Sequence, residues 1–243
     1  MNPNSYRYPN EHWILSLTLL FLVVVGFVTA GATLCLAPLF VLVITAVAYS
    51  TNQTHHRNLL RSSLKVDRQH TPDLARLTED CTIVLKPGQV NYFIYNSSKV
   101  NAYTFGFSNP KGVVLYRGLL ETMDKDELKF VIGHELGHVA LGHTRLHTLL
   151  DSLSAGMARS LGAAVLFSLI FRWWNRACEY SADRAGLLAC GNPGKATSAL
   201  IKLVAQDADT SAELERAYKI IEKEEDSLLK LLGETLSTHQ MII

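Results

Sequence analysis

The sequence predicts a mainly helical α+β fold, with a small antiparallel sheet in the folded domain and a transmembrane helical hairpin before that domain. Three features predict it: a long uncharged apolar segment near the start, three short stretches rich in β-branched and aromatic residues, and apolar residues at helical spacing in most of the remainder. We expect the hairpin over residues 1–50 and one domain over residues 51–243.

The hairpin is predicted from residues 13–50, which contain no Asp, Glu, Lys, Arg or His. As a helix this segment would be about 57 Å long, close to two crossings of a hydrocarbon core about 30 Å thick. Gly31 and Pro38 lie near its middle, so the two spans are expected at roughly 13–30 and 33–49. A cleaved signal peptide would have a shorter apolar core and a basic start.

Charge predicts the side of the membrane on which the domain lies. Basic residues follow the second span, whereas the turn between the spans has no charge: Arg57, Arg61, Lys65 and Arg68. By the positive-inside rule, an integral membrane protein with its domain on the cytoplasmic face is expected. The net charge of +1 does not indicate a nucleic-acid partner. The cysteines lack the paired spacing of a disulfide framework: Cys35, Cys81, Cys178 and Cys190.

The middle of the chain predicts strands followed by a capped helix. The stretches 90–95, 100–107 and 112–116 are separated by turn-forming residues and are expected to form the antiparallel sheet. Asp124 can cap the next helix and Glu127 can complete a capping box. Three glycines, Gly133, Gly137 and Gly142, each cost that helix about 1 kcal/mol relative to Ala, which suggests close packing.

A second apolar stretch lies between the capped helix and a helical pattern at 175–190. Only 160–171 is free of charge in this stretch, and twelve residues are too few to cross a membrane. We expect a short helix packed on the domain or on the bilayer, with Trp173 and Trp174 at the membrane interface. Helices at 195–205 and 212–232 are expected to follow.

The segment HELGH at 134–138 carries the chemistry that the sequence predicts. On a helix, His134 and His138 lie on one face, within reach of one zinc ion. Glu135 can then accept a proton from a water that the metal acidifies. A five-residue pattern with three fixed positions also occurs by chance. The alternative interpretation is a helix that carries two surface histidines.

A catalytic zinc needs a third protein ligand, and three residues are candidates. His143 does not fit the metzincin pattern, which places Gly and His where this chain has Leu141 and Thr144. Cys178 lies in an apolar stretch, where a lone Cys is more often a buried thiol. Glu179 is the preferred ligand, and Asp183, four residues later, can orient an imidazole from behind.

HELGH followed by EYSADRAG at 179–186 resembles the HtpX-type membrane zinc endopeptidases, a family that includes the endopeptidases of prenylated CAAX proteins. The segment NAYTFG at 101–106 resembles the part of that family before the helix. The resemblance covers roughly residues 70–205. It implies a gluzincin-like fold, one Zn²⁺ per chain, proteolysis of proteins or peptides, and misfolded membrane proteins as substrates.

The resemblance also implies roles for single residues. His134, His138 and Glu179 match zinc ligands and Glu135 matches the general base, and Asn101 matches a residue near the substrate strand. The family often ends in Ser-Thr-His-Pro with a later Arg, whereas this chain has STHQ at 237–240. His239 is therefore a candidate for stabilising the oxyanion, without the Pro and Arg that accompany it in the family.

Two other functions compete with this interpretation. A catalytically silent membrane scaffold or sensor would keep the fold, but the intact HELGH segment and Glu179 favour an enzyme. A metal-dependent deformylase also has two histidines and a glutamate on one helix, but its Cys ligand lies in a Gly-Cys-Leu setting that this chain lacks.

Overall fold

The computed structural model of the chain describes residues 2–32, 43, 46, 50, 60–106, 110–147 and 161–205. A 3₁₀ turn at Pro3–Ser5 precedes helix α1, Glu11–Ala32. Most large apolar side chains of α1 are exposed: Trp13, Leu17, Leu19, Leu20, Val23, Val24, Phe27 and Val28. The first predicted span lies within this helix, and most of the second lies outside the described residues.

Within the described ranges, no helix has both the length and the hydropathy expected of a membrane span.

The sheet has four strands: β1, Ser63–Lys65; β2, Val90–Tyr95; β3, Ala102–Phe105; and β4, Lys111–Tyr116. Their order is β1-β2-β4-β3, and β2 pairs with β4 in parallel while the other two pairings are antiparallel. The predicted antiparallel sheet is therefore wrong, because the sheet is mixed. Burial explains the order: β4 is buried along nearly its whole length and takes a central position, so the β3–β4 hairpin places β4 rather than β3 beside β2.

The described part of the domain also contains these helices: α2, Pro72–Leu85, between β1 and β2; and, after the sheet, α3, Arg117–Thr122; α4, Lys125–Leu141; α5, Leu161–Cys190; and α6, Pro193–Ala205. The capping box predicted at the start of α4 is confirmed, with Asp124 and Glu127 each bonding to the backbone of the other. Gly142 ends α4 at a φ of 80°, so it stops the helix and does not lie inside it. Residues 143–147 are again helical.

Helix α5 differs from the prediction, because the expected short apolar helix and the helix at 175–190 form one continuous helix of 30 residues. The prediction that Trp173 and Trp174 both lie at a membrane interface is wrong for Trp174. Trp173 is 57% exposed, whereas Trp174 is 1% exposed and packs among Ile14, Ala177 and Cys178. Successive helical residues point about 100° apart, so these two neighbours face different surroundings.

Helices α4 and α5 pack at very short range, and glycines make this possible. A Cβ atom at Gly137 would lie 2.7 Å from the Cβ of Ala185, and one at Gly133 would lie 2.5 Å from the Cβ of Ala189. On the opposite helix, a Cβ atom at Gly186 would lie 2.8 Å from the carbonyl oxygen of Phe130. The close packing suggested by the glycines of α4 is confirmed for Gly133 and Gly137.

We predict that Gly137→Ala destabilises the domain and weakens its affinity for metal. The added methyl group separates α4 from α5, and overpacking of this kind costs about 1–3 kcal/mol, of which the better helix propensity of Ala returns about 1 kcal/mol. Thermal unfolding of the metal-free protein and metal titration measure the two effects.

Gly194→Ala is the matched control, since its Cβ atom would meet only the side chain of Asn192, at 3.4 Å. Unchanged stability and metal affinity in Gly137→Ala would contradict the role given to this packing.

Candidate metal centre

Helix α4 holds the first two residues of the centre one turn apart. His134 and His138 both point to the side of α4 that faces α5, and their Nε2 atoms are 3.2 Å apart. His138 is buried and His134 nearly so. The spacing of four residues thus places both rings on one face of α4, as expected from the sequence.

Helix α5 brings Glu179 to the same point. One carboxylate oxygen of Glu179 is 3.4 Å from Nε2 of His134, and the other is 3.5 Å from Nε2 of His138. Together the three side chains form a compact group of potential metal ligands in the interior of the domain.

Partners behind the histidines determine which nitrogen carries the proton. Nδ1 of His134 is 2.9 Å from Oδ1 of Asp183, and an ionised carboxylate only accepts hydrogen bonds. Nδ1 of His134 therefore donates, and a neutral ring keeps a lone pair at Nε2. Nδ1 of His138 has its own partner, Nδ1 of His143, at 3.1 Å.

In the neutral form of both rings, three acceptor atoms therefore converge at this point. Oε1 of Glu179 is buried and has no hydrogen-bond partner in the described part of the chain. Leaving a buried carboxylate oxygen unpaired is costly. A cation at this point satisfies all three atoms.

The spacing of the three atoms suits a tetrahedral ion. A metal joined to its ligands at about 2.0–2.1 Å separates neighbouring ligand atoms by about 3.3 Å. The three separations here are 3.2, 3.4 and 3.5 Å. Two imidazoles and one carboxylate also leave a fourth position for water or substrate, as catalytic zinc sites do.

The two imidazoles of the centre have pKa values shifted in opposite directions. Burial would lower the pKa of His134, but hydrogen bonds to Asp183 and Glu179 outweigh it and raise the pKa well above its ordinary value. Burial, together with neighbouring imidazoles, lowers the pKa of His138 well below its usual range, so this ring is neutral, as a metal ligand must be.

Glu135 lies between the two histidines in sequence and is buried beside them. Burial raises the pKa of Glu135 to about 7, while the charge of His134 lowers it and that of Glu179 raises it further. A carboxylate with a pKa near neutrality can both take and return a proton at neutral pH.

Other residues singled out in the sequence lie elsewhere. Asn101 precedes β3, where its side chain accepts from the backbone N–H of Ala102 at 2.9 Å and its carbonyl oxygen accepts from that of Tyr116 at 3.0 Å. His239 lies outside the described residues. His143 and Cys178 belong to a second buried group, together with Glu11.

Glu11 was missed in the sequence, because it stands next to the predicted span, 132 positions before His143. A carboxylate at that position is interpreted from the sequence as the polar end of an apolar segment. The buried aromatic ring of Trp174 against His143 and His147 was equally unforeseen. The histidines at 143 and 147 follow His138 at roughly helical intervals. This repeat is the feature of the sequence that could have indicated a cluster of histidines.

The paired histidines of one helix, the glutamate of a second and the buried Glu135 define the class of metal-dependent peptidases. A sequence model described as Peptidase family M48 matches residues 68–240. The chain therefore belongs to Peptidase family M48, and its similarity to HtpX-type proteases, expected from its motifs, is confirmed.

Curated relatives agree with this family. The protein named Protease HtpX homolog from Streptococcus thermophilus is 34% identical over 139 residues, which cover 54% of this chain and 45% of that protein. Plastoglobule-localized metallopeptidase 48, chloroplastic, from Arabidopsis thaliana is 29% identical over 168 residues, covering 64% and 48%. A Protease HtpX homolog from Streptococcus pneumoniae is 30% identical over 164 residues, covering 63% and 54%. The chain spans about half the length of these relatives.

Proposed function

We propose that this chain is a zinc-dependent endopeptidase in which His134, His138 and Glu179 hold one Zn²⁺ and Glu135 is the general base. The observation that supports it most is the convergence of two imidazole nitrogens and one carboxylate at tetrahedral spacing. Zinc is the metal proposed, because two imidazoles and a carboxylate with one open position are typical of zinc peptidases.

The protein's own groups divide the work of hydrolysis. Zinc, when bound, supplies Lewis-acid chemistry that acidifies water and polarises the peptide carbonyl. Glu135, buried beside the two histidines, accepts a proton from the attacking water and returns it to the leaving amine. Asp183 holds the ring of His134 in the orientation and tautomer that ligation needs.

Two further residues are proposed to act on the substrate. Asn101 fixes the start of β3, and the proposal that it lies near the bound substrate strand is supported by its place in the NAYTFG segment. His239 is proposed to stabilise the oxyanion, on the strength of the STHQ segment alone. Misfolded membrane proteins are the proposed substrates, which rests on the resemblance of the motifs to the HtpX-type family.

We also propose that residues 1–50 anchor the enzyme in a bilayer, with residues 51–243 as the peptidase domain on the cytoplasmic face. Supporting this are the uncharged segment 13–50 and the exposed apolar side chains of α1. The basic residues after position 50 support the orientation.

The general base is tested by Glu135→Gln. We expect this variant to bind one zinc per chain but to lose nearly all hydrolysis of an unstructured protein such as casein, because an amide cannot accept the proton of water. Zinc content and casein cleavage by the detergent-solubilised protein are compared with those of the unchanged chain.

Full activity in Glu135→Gln would remove this residue from the mechanism, and loss of zinc would make Glu135 part of the metal site. An unchanged chain that binds zinc but cleaves nothing would favour a silent scaffold.

The third ligand is tested by Glu179→Ala, which we expect to lower zinc occupancy sharply, since two protein ligands hold a catalytic metal poorly. Cys178→Ala is the control on the same helix and should keep one zinc per chain. His143→Ala should also reach one zinc when zinc is in excess, because His143 is not a ligand. Normal occupancy in Glu179→Ala would refute the assignment.

The anchor is tested with a reporter enzyme fused after residue 70, where the basic residues keep the chain in the cytoplasm. We expect to find the fusion in the membrane fraction. A reporter that works only in the cytoplasm should be active there. Activity of a reporter that works only on the opposite side would reverse the orientation, and recovery of the fusion without membranes would disprove the anchor.

A further inference from the structure

A second cluster of polar side chains lies directly behind the metal centre. It consists of Glu11, His143 and Cys178, all buried, with ligand atoms within 4.8 Å of one another. His143 joins this cluster to the centre: its Nδ1 is 3.1 Å from Nδ1 of His138, and its Nε2 is 3.0 Å from Oε1 of Glu11.

The positions of the protons follow from the partners. A carboxylate only accepts, so Nε2 of His143 carries a hydrogen and donates it to Glu11. The neutral ring of His143 then has a lone pair at Nδ1, which accepts from Nδ1–H of His138. This leaves the lone pair of His138 at Nε2, the atom that faces His134 and Glu179.

We propose that Glu11 and His143 are positioning residues, which fix the tautomer and ring orientation of His138 through a chain of two hydrogen bonds. This inference rests on the proposed function, since it concerns the ligand His138 of the zinc site. It makes the N-terminal segment, which the sequence suggests is only an anchor, a contributor to the catalytic centre.

The cluster is better explained as this relay than as a second metal site. A guanidinium nitrogen of Arg7 is 3.1 Å from Oε1 of Glu11, so positive charge is already present. The hydroxyl of Ser181 donates to Oε2 of Glu11. Burial alone would raise the pKa of Glu11, but His143, Ser181 and Arg7 lower it, so an ionised acceptor faces His143.

Several contacts hold Glu11 in place against α5. The backbone N–H of Tyr8 donates to the hydroxyl of Ser181 at 2.8 Å, and the ring of Tyr8 stacks on that of Tyr180 with centroids 5.3 Å apart. Ile14, one turn after Glu11, is buried in a cluster with Trp174 and Cys178. A carboxylate fixed on both sides can orient a histidine, whereas a mobile one cannot.

The experiment compares two substitutions at one position of the full chain in detergent. His143→Gln keeps one acceptor and one donor, and His143→Leu removes both at similar volume. Zinc affinity is measured by competition with a chromophoric chelator. Loss of a group that orients a metal ligand typically weakens metal binding about 10–100-fold, so we expect that loss in His143→Leu and a value within about threefold of the original in His143→Gln.

Cobalt(II) in place of zinc adds a readout that a general loss of stability would not change. The visible ligand-field bands should shift in His143→Leu and return in His143→Gln. Equal affinities and equal bands in all three proteins would overturn the proposal. Two cobalt ions per chain with a near-ultraviolet thiolate band that Cys178→Ala abolishes would also overturn it, in favour of a second metal site.

A measurement on the unchanged chain covers the case in which His143→Leu does not fold. Nitrogen-15 NMR of the zinc-loaded protein should show His143 protonated at Nε2 and unprotonated at Nδ1, and the reverse tautomer would overturn the relay. Failure of the proposed function is recognised separately, because the unchanged chain would then bind no zinc, or Glu179→Ala would bind it normally.

Discussion

The centre of this structure depends on one electrostatic constraint: two imidazole nitrogens and a buried carboxylate meet at 3.2–3.5 Å, and one oxygen of that carboxylate has no hydrogen-bond partner among the described residues. Such an arrangement is unfavourable unless a cation lies among them. Asp183 behind His134 enforces it by fixing the proton on the far side of that ring. The distances also require α4 and α5 to approach closely, which Gly133, Gly137 and Gly186 allow.

The sequence predicts much of this centre because its key spacings are local. The spacing of four residues from His134 to His138 places two rings on one helical face, and the capping box fixes where α4 begins. Glu179 and Asp183 are recognisable on a second helix for the same reason. The parallel pairing of β2 with β4 could not be predicted from these stretches, because strand order depends on which strand the rest of the domain buries.

Contacts between residues far apart in the chain could not be predicted from the sequence either. Glu11 is 132 positions from His143, and only the folded chain shows that its carboxylate accepts from that ring. Arg7 and Ser181 complete the surroundings of Glu11 from different segments. The continuity of α5 was missed because its apolar first part and polar second part have different compositions, although a helix can pass from one environment to another without interruption.

X-ray absorption at the zinc edge of the metal-loaded chain measures which donor atoms surround the ion. We expect one zinc with two imidazole nitrogens and only oxygen donors besides, all at about 2.0–2.2 Å. Sulfur at about 2.3 Å would place a cysteine on the metal, and a third imidazole would place a further histidine there. Either result would contradict the assignment of Glu179 as the third protein ligand.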